Sequence, residues 1–313
     1  MNTQQAPRPA NDEIDLRGLM AAIAKGKWIF LATTTLFTVL AVFYALSLPN
    51  IYKSEVTLAP ASDSGGLNIP GQLGGLAALA GVNLGGKGGD KTELALEILK
   101  SREFLGRFIE ENDLYLPIMA AKGWDRGSDT LVIDAEIFDK TNNQWVREVK
   151  EPFKPKPSIL ETIDEFKKLF SVNQDKTTGM VKLSVEYYSP IIAKVWVDKF
   201  VKSINEEMRN RDLNEAEKSI EYLNGQIELT NLADIRTMLF SLIEEQTKTK
   251  MLAHAREEYV LKTIDAAVIA EQKNGPKRAV IVLMALMLGL IFSTIVVIVR
   301  FMSRKSSFLQ QKI

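Results

Sequence analysis

Two predominantly apolar stretches of the chain run at least 21 residues without a charge. Residues 28–48 read WIFLATTTLFTVLAVFYALSL, and residues 279–299 read AVIVLMALMLGLIFSTIVVIV. At a rise of about 1.5 Å per residue, each is long enough to cross roughly 30 Å of hydrocarbon as a helix. The first exceeds the roughly 7–15 apolar residues of a signal-peptide core. It also follows a 27-residue polar leader, so a retained span is expected rather than a cleaved signal. The pattern divides the chain into a tail (1–27), a span (28–48), a middle segment (49–278), a second span (279–299) and a tail (300–313).

The middle segment changes period along its length. After Pro49, YKSEVTLAPA (52–61) alternates as a strand does. Residues 91–111 carry a helical stripe of Leu94, Ile98, Phe104, Leu105, Phe108 and Ile109, with Thr92 as a candidate cap and Asn112 as a stop. Residues 113–157 read as irregular, anchored by Trp124 and Trp145. A second helix is expected at 158–170. A hairpin follows at 170–188, turning at Asp175–Gly179, with Val181, Leu183 and Val185 on one face. Ser189-Pro190 then opens a long helical region, about 189–258. Its stripe is Val197, Val201, Ile204, Met208, Leu213, Ala216, Ile220, Leu223 and Ile227. A helix of about 40 residues is roughly 60 Å long, which suits packing against partner helices in the same chain or another. Thr230-Asn231 is the expected break, and Ile235, Leu239, Leu242 and Ile243 resume the stripe. YVLKTIDAAVI (259–269) predicts a strand returning to the sheet begun at 52–61. The expected fold is α+β: two transmembrane helices flanking a domain with a membrane-proximal α/β base and a long helical extension.

Charge adds an orientation. The N-terminal tail carries Arg8, Arg17, Lys25 and Lys27; the C-terminal tail carries Arg300, Arg304, Lys305 and Lys312 with no acid. Basic short flanks predict both tails in the cytoplasm and the middle segment across the membrane. Lys277 and Arg278 stand on the other side of the second span and run against that rule. The whole chain balances 39 basic against 39 acidic residues, which gives nucleic acid no general attraction. Cysteine is absent, so thiol catalysis, disulfides and cysteine-ligated metals are excluded.

One stretch mimics a nucleotide site. Gly81, Gly86 and Lys87 in GVNLGGKGGDKT follow P-loop spacing, but Gly88 replaces the Ser or Thr that would ligate magnesium. No β-branched strand leads into it, and its expected side of the membrane lacks ATP. Two readings of the glycine-leucine stretch 71–89 remain. In one, Leu73, Leu76, Leu79, Val82 and Leu84 enter the interface or a neighbouring subunit; in the other, it is a glycine linker. No other catalytic constellation can be assembled. His254 is the only histidine and reads as a helix-surface residue. Glu206-Glu207 and Glu257-Glu258 read as solvated helix faces. G-x-S-x-G and H-E-x-x-H are both missing. No enzyme, cofactor or metal site is expected. The second span instead places Ala285, Gly289 and Ser293 at four-residue spacing, the small-residue pattern that lets helices approach in lipid.

Three segments, EIDLRGLMAAIAKGKWIF, LPNIYKSEVTLAPA and NGPKRAVIVLMALMLGLIFS, together with GQLGGLAALAGVNLGG, resemble the Wzz-type chain-length determinants, or polysaccharide co-polymerases, of bacterial inner membranes. The resemblance implies a non-enzymatic role. Members set the modal length of lipid-linked O-antigen made by a Wzy-type polymerase, and act as ring-like homo-oligomers on the growing undecaprenyl-linked polysaccharide. Where the family has several prolines before its second span, this chain has only Pro276; Pro276, Ala285 and Gly289 carry over as packing positions. The tail of 14 residues leaves no room for the kinase domain of capsule and exopolysaccharide relatives, though a separate kinase fits. A two-span periplasmic sensor or adaptor is the alternative of a different class.

Overall fold

The structure, a computed structural model, describes residues 26–61 and 87–310, and side chains within 26–61 and 91–300. The glycine-leucine stretch therefore falls outside the described residues up to Gly86, as does the N-terminal tail before Gly26. Two compact units are present: one holds the chain up to Pro49 and from Gly275 onward, the other runs from Asn50 to Asn274.

The first unit is a pair of helices, α1 (Lys27–Ser47) and, at the far end of the chain, α8 (Arg278–Gln310). Leu48 leaves α1 in an extended conformation, as a residue before proline must. α8 continues past the apolar stretch because nothing in RFMSRKSSFLQ breaks a helix; the expected tail at 300–313 thus begins as helix.

The second unit is built on a four-stranded antiparallel sheet. Its strands are β1 (Tyr52–Pro60), β6 (Phe170–Gln174), β7 (Val181–Tyr187) and β8 (Leu261–Asp265), in the order β6-β7-β1-β8. The β1–β7 register sets Ser54 against Val185, Val56 against Leu183 and Leu58 against Val181. Those six residues are all buried, because alternation puts every second side chain on one face. The β6–β7 turn closes at Asp175: its Oδ1 accepts the amides of Thr177 and Thr178, and Gly179 takes the left-handed φ of 72°. β1 and β8 are neighbours, and the Asn274 amide donates to the Ile51 carbonyl at 2.8 Å. The two chain ends of this unit lie side by side.

Helices cover the sheet. α2 (Lys87–Lys100) and α3 (Arg102–Glu111) stand where one helix was expected at 91–111. The break is at Ser101, whose Oγ accepts the Phe104 amide as a new N-cap. Thr92 is buried within α2 rather than standing at its start, and Leu94 is exposed; Ala95, Ile98 and Leu99 face the core. Asn112 does end α3. The region expected to be irregular contains α4 (Tyr115–Ala120) and two short hairpins, β2 (Ala121–Asp125) with β3 (Thr130–Ile133) and β4 (Phe138–Asp139) with β5 (Gln144–Trp145). Trp124 donates to Asp129 and meets Tyr52 edge-on; Trp145 meets Phe138. α5 (Ile159–Leu169) starts with a full capping box between Ser158 and Glu161.

α6 (Pro190–Leu229) and α7 (Ala233–Ala255) form the long hairpin. Ser189 caps α6 and Pro190 takes its first position, where a missing N–H costs nothing. At Phe200 the helix enters an aromatic cluster, with ring centroids 4.1 Å from Phe108, 4.9 Å from Phe170 and 5.5 Å from Phe166. The strand expected at 259–269 is limited to β8, although Tyr259 and Val260 just before it are buried.

Candidate functional site: the helical hairpin and the paired spans

Along α6 the environment changes. Val197, Phe200, Ile204 and Met208 are fully buried against the chain's own core. Val201 is half-buried at the edge of that core. Among these apolar positions sits Asn205, also buried. Its Nδ2 donates to the carbonyls of Val201 and Leu261, both at 3.0 Å. Its Oδ1 accepts the amides of Val260 at 2.8 Å and Leu261 at 3.0 Å. One side chain thereby satisfies backbone groups on two elements and fixes β8 to the long helix. A second tie uses Asp212, which accepts from Lys91 at 2.8 Å and from the Tyr259 hydroxyl at 2.5 Å.

Beyond Met208 the helix leaves the core and pairs with α7. Ala216 and Ala253 are buried, and Lys250 bonds Glu217 at 2.7 Å. That bond holds the Glu217 carboxyl below its ordinary range. Ile227 is buried, and Leu213, Ile220 and Leu223 are half-buried. The rest of this hairpin is apolar and open. Leu229 is 78% exposed, Leu232 65%, Met238 61% and Phe240 55%, with Tyr222, Ile235, Leu242 and Met251 exposed beside them. Apart from Ala253, no residue of α7 is buried. A surface of this kind marks an interaction site in a soluble domain.

Beside the buried half of α6 runs a polar groove of about 590 Å³, lined by Asp198, Lys202, Glu206, Arg209, Glu257, Glu258 and Thr263. Its charges largely answer one another: Glu206 lies 3.8 Å from Lys202 and 4.0 Å from Arg209, and Glu258 accepts the Thr263 amide. Glu257 and Glu258 follow the end of α7 rather than lying on a helix face as expected. His254 is exposed on α7. No group of three or more metal-ligating side chains occurs among the described residues. Lys87 to Asp90, the end of the glycine-rich stretch, belong to α2.

Where the two apolar helices pair, Gly289 and Ser293 of α8 face α1. A Cβ added at Gly289 would come within 3.1 Å of the Phe37 Cβ. Ser293 is buried and accepts from Thr34 Oγ1 at 3.1 Å while donating to the Leu290 carbonyl. Phe37 and Phe292 pack with ring centroids 5.3 Å apart. Ala285 and Pro276 are half-buried. Arg278 donates to the Leu48 carbonyl at 2.9 Å, joining the start of α8 to the end of α1.

Thr34, Phe37 and Asn205 escape the sequence reading. Asn205 left a signal, a polar residue inside an apolar helical face. Thr34 left little, since threonine is unremarkable within a span.

Residues 12–112 match the family model "Wzz: Chain length determinant protein", and residues 227–302 match "GNVR: G-rich domain on putative tyrosine kinase". Each match contains one of the two apolar helices. A solved structure, described as a full-length bacterial polysaccharide co-polymerase, is similar over 94% of this chain and 99% of that chain, at 10% identity and a TM-score of 0.39. The mixed helix-and-sheet domain stands in sequence between two helices that are long and apolar enough to cross a membrane. The chain thus carries the Wzz domain of the chain-length determinant family together with a GNVR domain. That family is one of the inner membrane, its co-polymerases form oligomers, and the two apolar helices fit a two-span protein.

Proposed function

We propose that this protein is a non-enzymatic regulator that sets the modal length of lipid-linked O-antigen made by a Wzy-type polymerase, as a homo-oligomeric periplasmic scaffold. The observation that carries the reading is the pair of family matches, one at each end of the chain and each containing an apolar helix. The open apolar surface of the α6–α7 hairpin supports it, because a second copy of the chain would cover what the monomer leaves exposed. Both termini are cytoplasmic in this reading, and residues 49–278 lie in the periplasm beside the growing undecaprenyl-linked polysaccharide. Pro276, Ala285, Gly289 and Ser293 pack the spans. In the hairpin, Ile220, Leu223 and Ile227 set the geometry that determines chain length, while Val197, Val201, Ile204 and Met208 hold the domain together.

The test is the O-antigen length distribution on a gel with the gene deleted and then restored. A modal cluster that decays to a ladder on deletion and returns on restoration supports the proposal. An unchanged profile favours a second reading, capsule or exopolysaccharide co-polymerisation alongside a separate kinase, for which the match at residues 227–302 is the supporting observation.

A further inference from the structure

The four-stranded sheet has two edges, β6 and β8, and the chain treats them differently. Ala61 donates to the Val260 carbonyl at 2.9 Å, and Pro60, opposite Leu261, has no N–H to give. Ladder bonds alternate between antiparallel strands, so Leu261 and Thr263 turn their N–H and C=O groups away from β1. Such a row is a template for another strand. Here side chains fill it. Asn205 on α6 accepts the Leu261 amide and donates to the Leu261 carbonyl, both at 3.0 Å. Those are the two bonds that one residue of a neighbouring strand would make. Glu258 accepts the Thr263 amide at 2.8 Å. At the other edge, Asp175 donates to the Met180 carbonyl, and the same alternation turns Val172 and Gln174 outward. The side-chain bonds of this strand, Asn173 to Ser171 and Gln174 to the Gly179 carbonyl, go elsewhere. Among the described residues, β6 is left open.

We propose that Asn205 and Glu258 close β8 against a second copy of the chain, whose open β6 would otherwise add to it. The two edges match in length, at 5 residues each, so they can pair from end to end. They are opposite edges of one sheet, which makes the pairing head-to-tail: each added copy presents a fresh β6, and the array does not close. Blocking one edge is enough to stop it. The two closures differ in kind. Asn205 is buried and its carboxamide is bonded on both sides, a fixed closure built into the core. Glu258 is exposed, so removing it opens the Thr263 amide without emptying the core. The inference rests on the sheet and not on what the protein regulates.

The full-length protein in detergent micelles would be followed, as its concentration is raised, by sedimentation and by the infrared band of intermolecular sheet. Asn205→Ala, and less steeply Glu258→Ala, should gain sedimenting, sheet-rich material that the wild type lacks. Phe200→Ala, which empties part of the core and leaves β8 closed, should not gain it. Gln174→Pro removes an outward donor from β6 and no ladder bond, and adding it to either edge variant should abolish the gain. If Asn205→Ala fails to fold, Glu258→Ala decides alone, since that side chain is exposed. No gain in Glu258→Ala overturns the proposal. So does an equal gain in Phe200→Ala, which would make instability the cause. A gain that Gln174→Pro leaves intact overturns it too, because β6 is then not the strand that adds.

Discussion

The two halves of α6 obey different rules. From Pro190 to Met208 its apolar face is closed by the sheet, α3 and α5, and even its one buried amide is fully bonded. Past Leu213 the same helix pairs with α7, and the apolar residues around that seam stay open. The first half is specified by the fold of one chain. The second half is over-supplied with hydrophobic surface for that purpose, and the proposed homo-oligomer is what would cover it.

Substitutions should separate the halves. Phe200→Ala removes the ring shared by Phe108, Phe166 and Phe170 and should cost about 3–5 kcal/mol in chemical denaturation. Asn205→Ala strands backbone groups of β8 and should cost about 2–3 kcal/mol; hydrogen exchange at Val260 and Leu261 should rise with it. In the spans, Gly289→Leu forces Phe37 aside and should cost about 1–3 kcal/mol, read as loss of proximity between α1 and α8 by crosslinking.

A pH effect should be smaller. Burial raises the Glu161 carboxyl, but the Ser158 amide and the Arg147 guanidinium, 2.7 Å away, outweigh it and leave the group below its ordinary range. A depressed carboxyl contributes stability above its unfolded pKa and loses it as pH falls through the folded value. Stability should therefore be flat above about pH 5 and decline below about pH 4, and Glu161→Gln should flatten that decline. Least affected should be the stability of Met238→Glu with Phe240→Glu: within about 0.5 kcal/mol of wild type, as for exposed sites. Their effect should appear in oligomer size by light scattering. An unchanged oligomer would remove the contrast drawn between the halves of α6.

Much of the fold was legible because each element carried its own local code. Ser189-Pro190 fixed the start of α6, Asp175–Gly179 the hairpin, and Thr230-Asn231 the break before α7. The two apolar helices were readable from the absence of charge alone. Misreadings came where one residue mattered more than a period. Ser101 divides a helix that apolar spacing ran together, and the hairpins between Ala121 and Trp145 are held by Asp side chains in turns rather than by alternation. The candidate surfaces were half-legible. Gly289 and Ser293 announced themselves by size, whereas Arg278 read only as an exception to a charge rule until its bond to the Leu48 carbonyl was visible. The stripe from Val197 to Ile227 was read as one feature, but a periodic pattern does not say which neighbour covers it.

The pairing of β1 with β8 has a consequence for synthesis. Leu58 must wait for Thr263, made roughly 200 residues later and so about 10–40 s behind it at ordinary rates of translation. Until then β1 has an unpaired edge, an opening for a neighbouring nascent chain. When β8 arrives it closes that edge just before α8 is made. The order of the polypeptide thus acts as a timer for that edge: it stays open through most of the domain's synthesis and closes only as the last strand of the sheet is made.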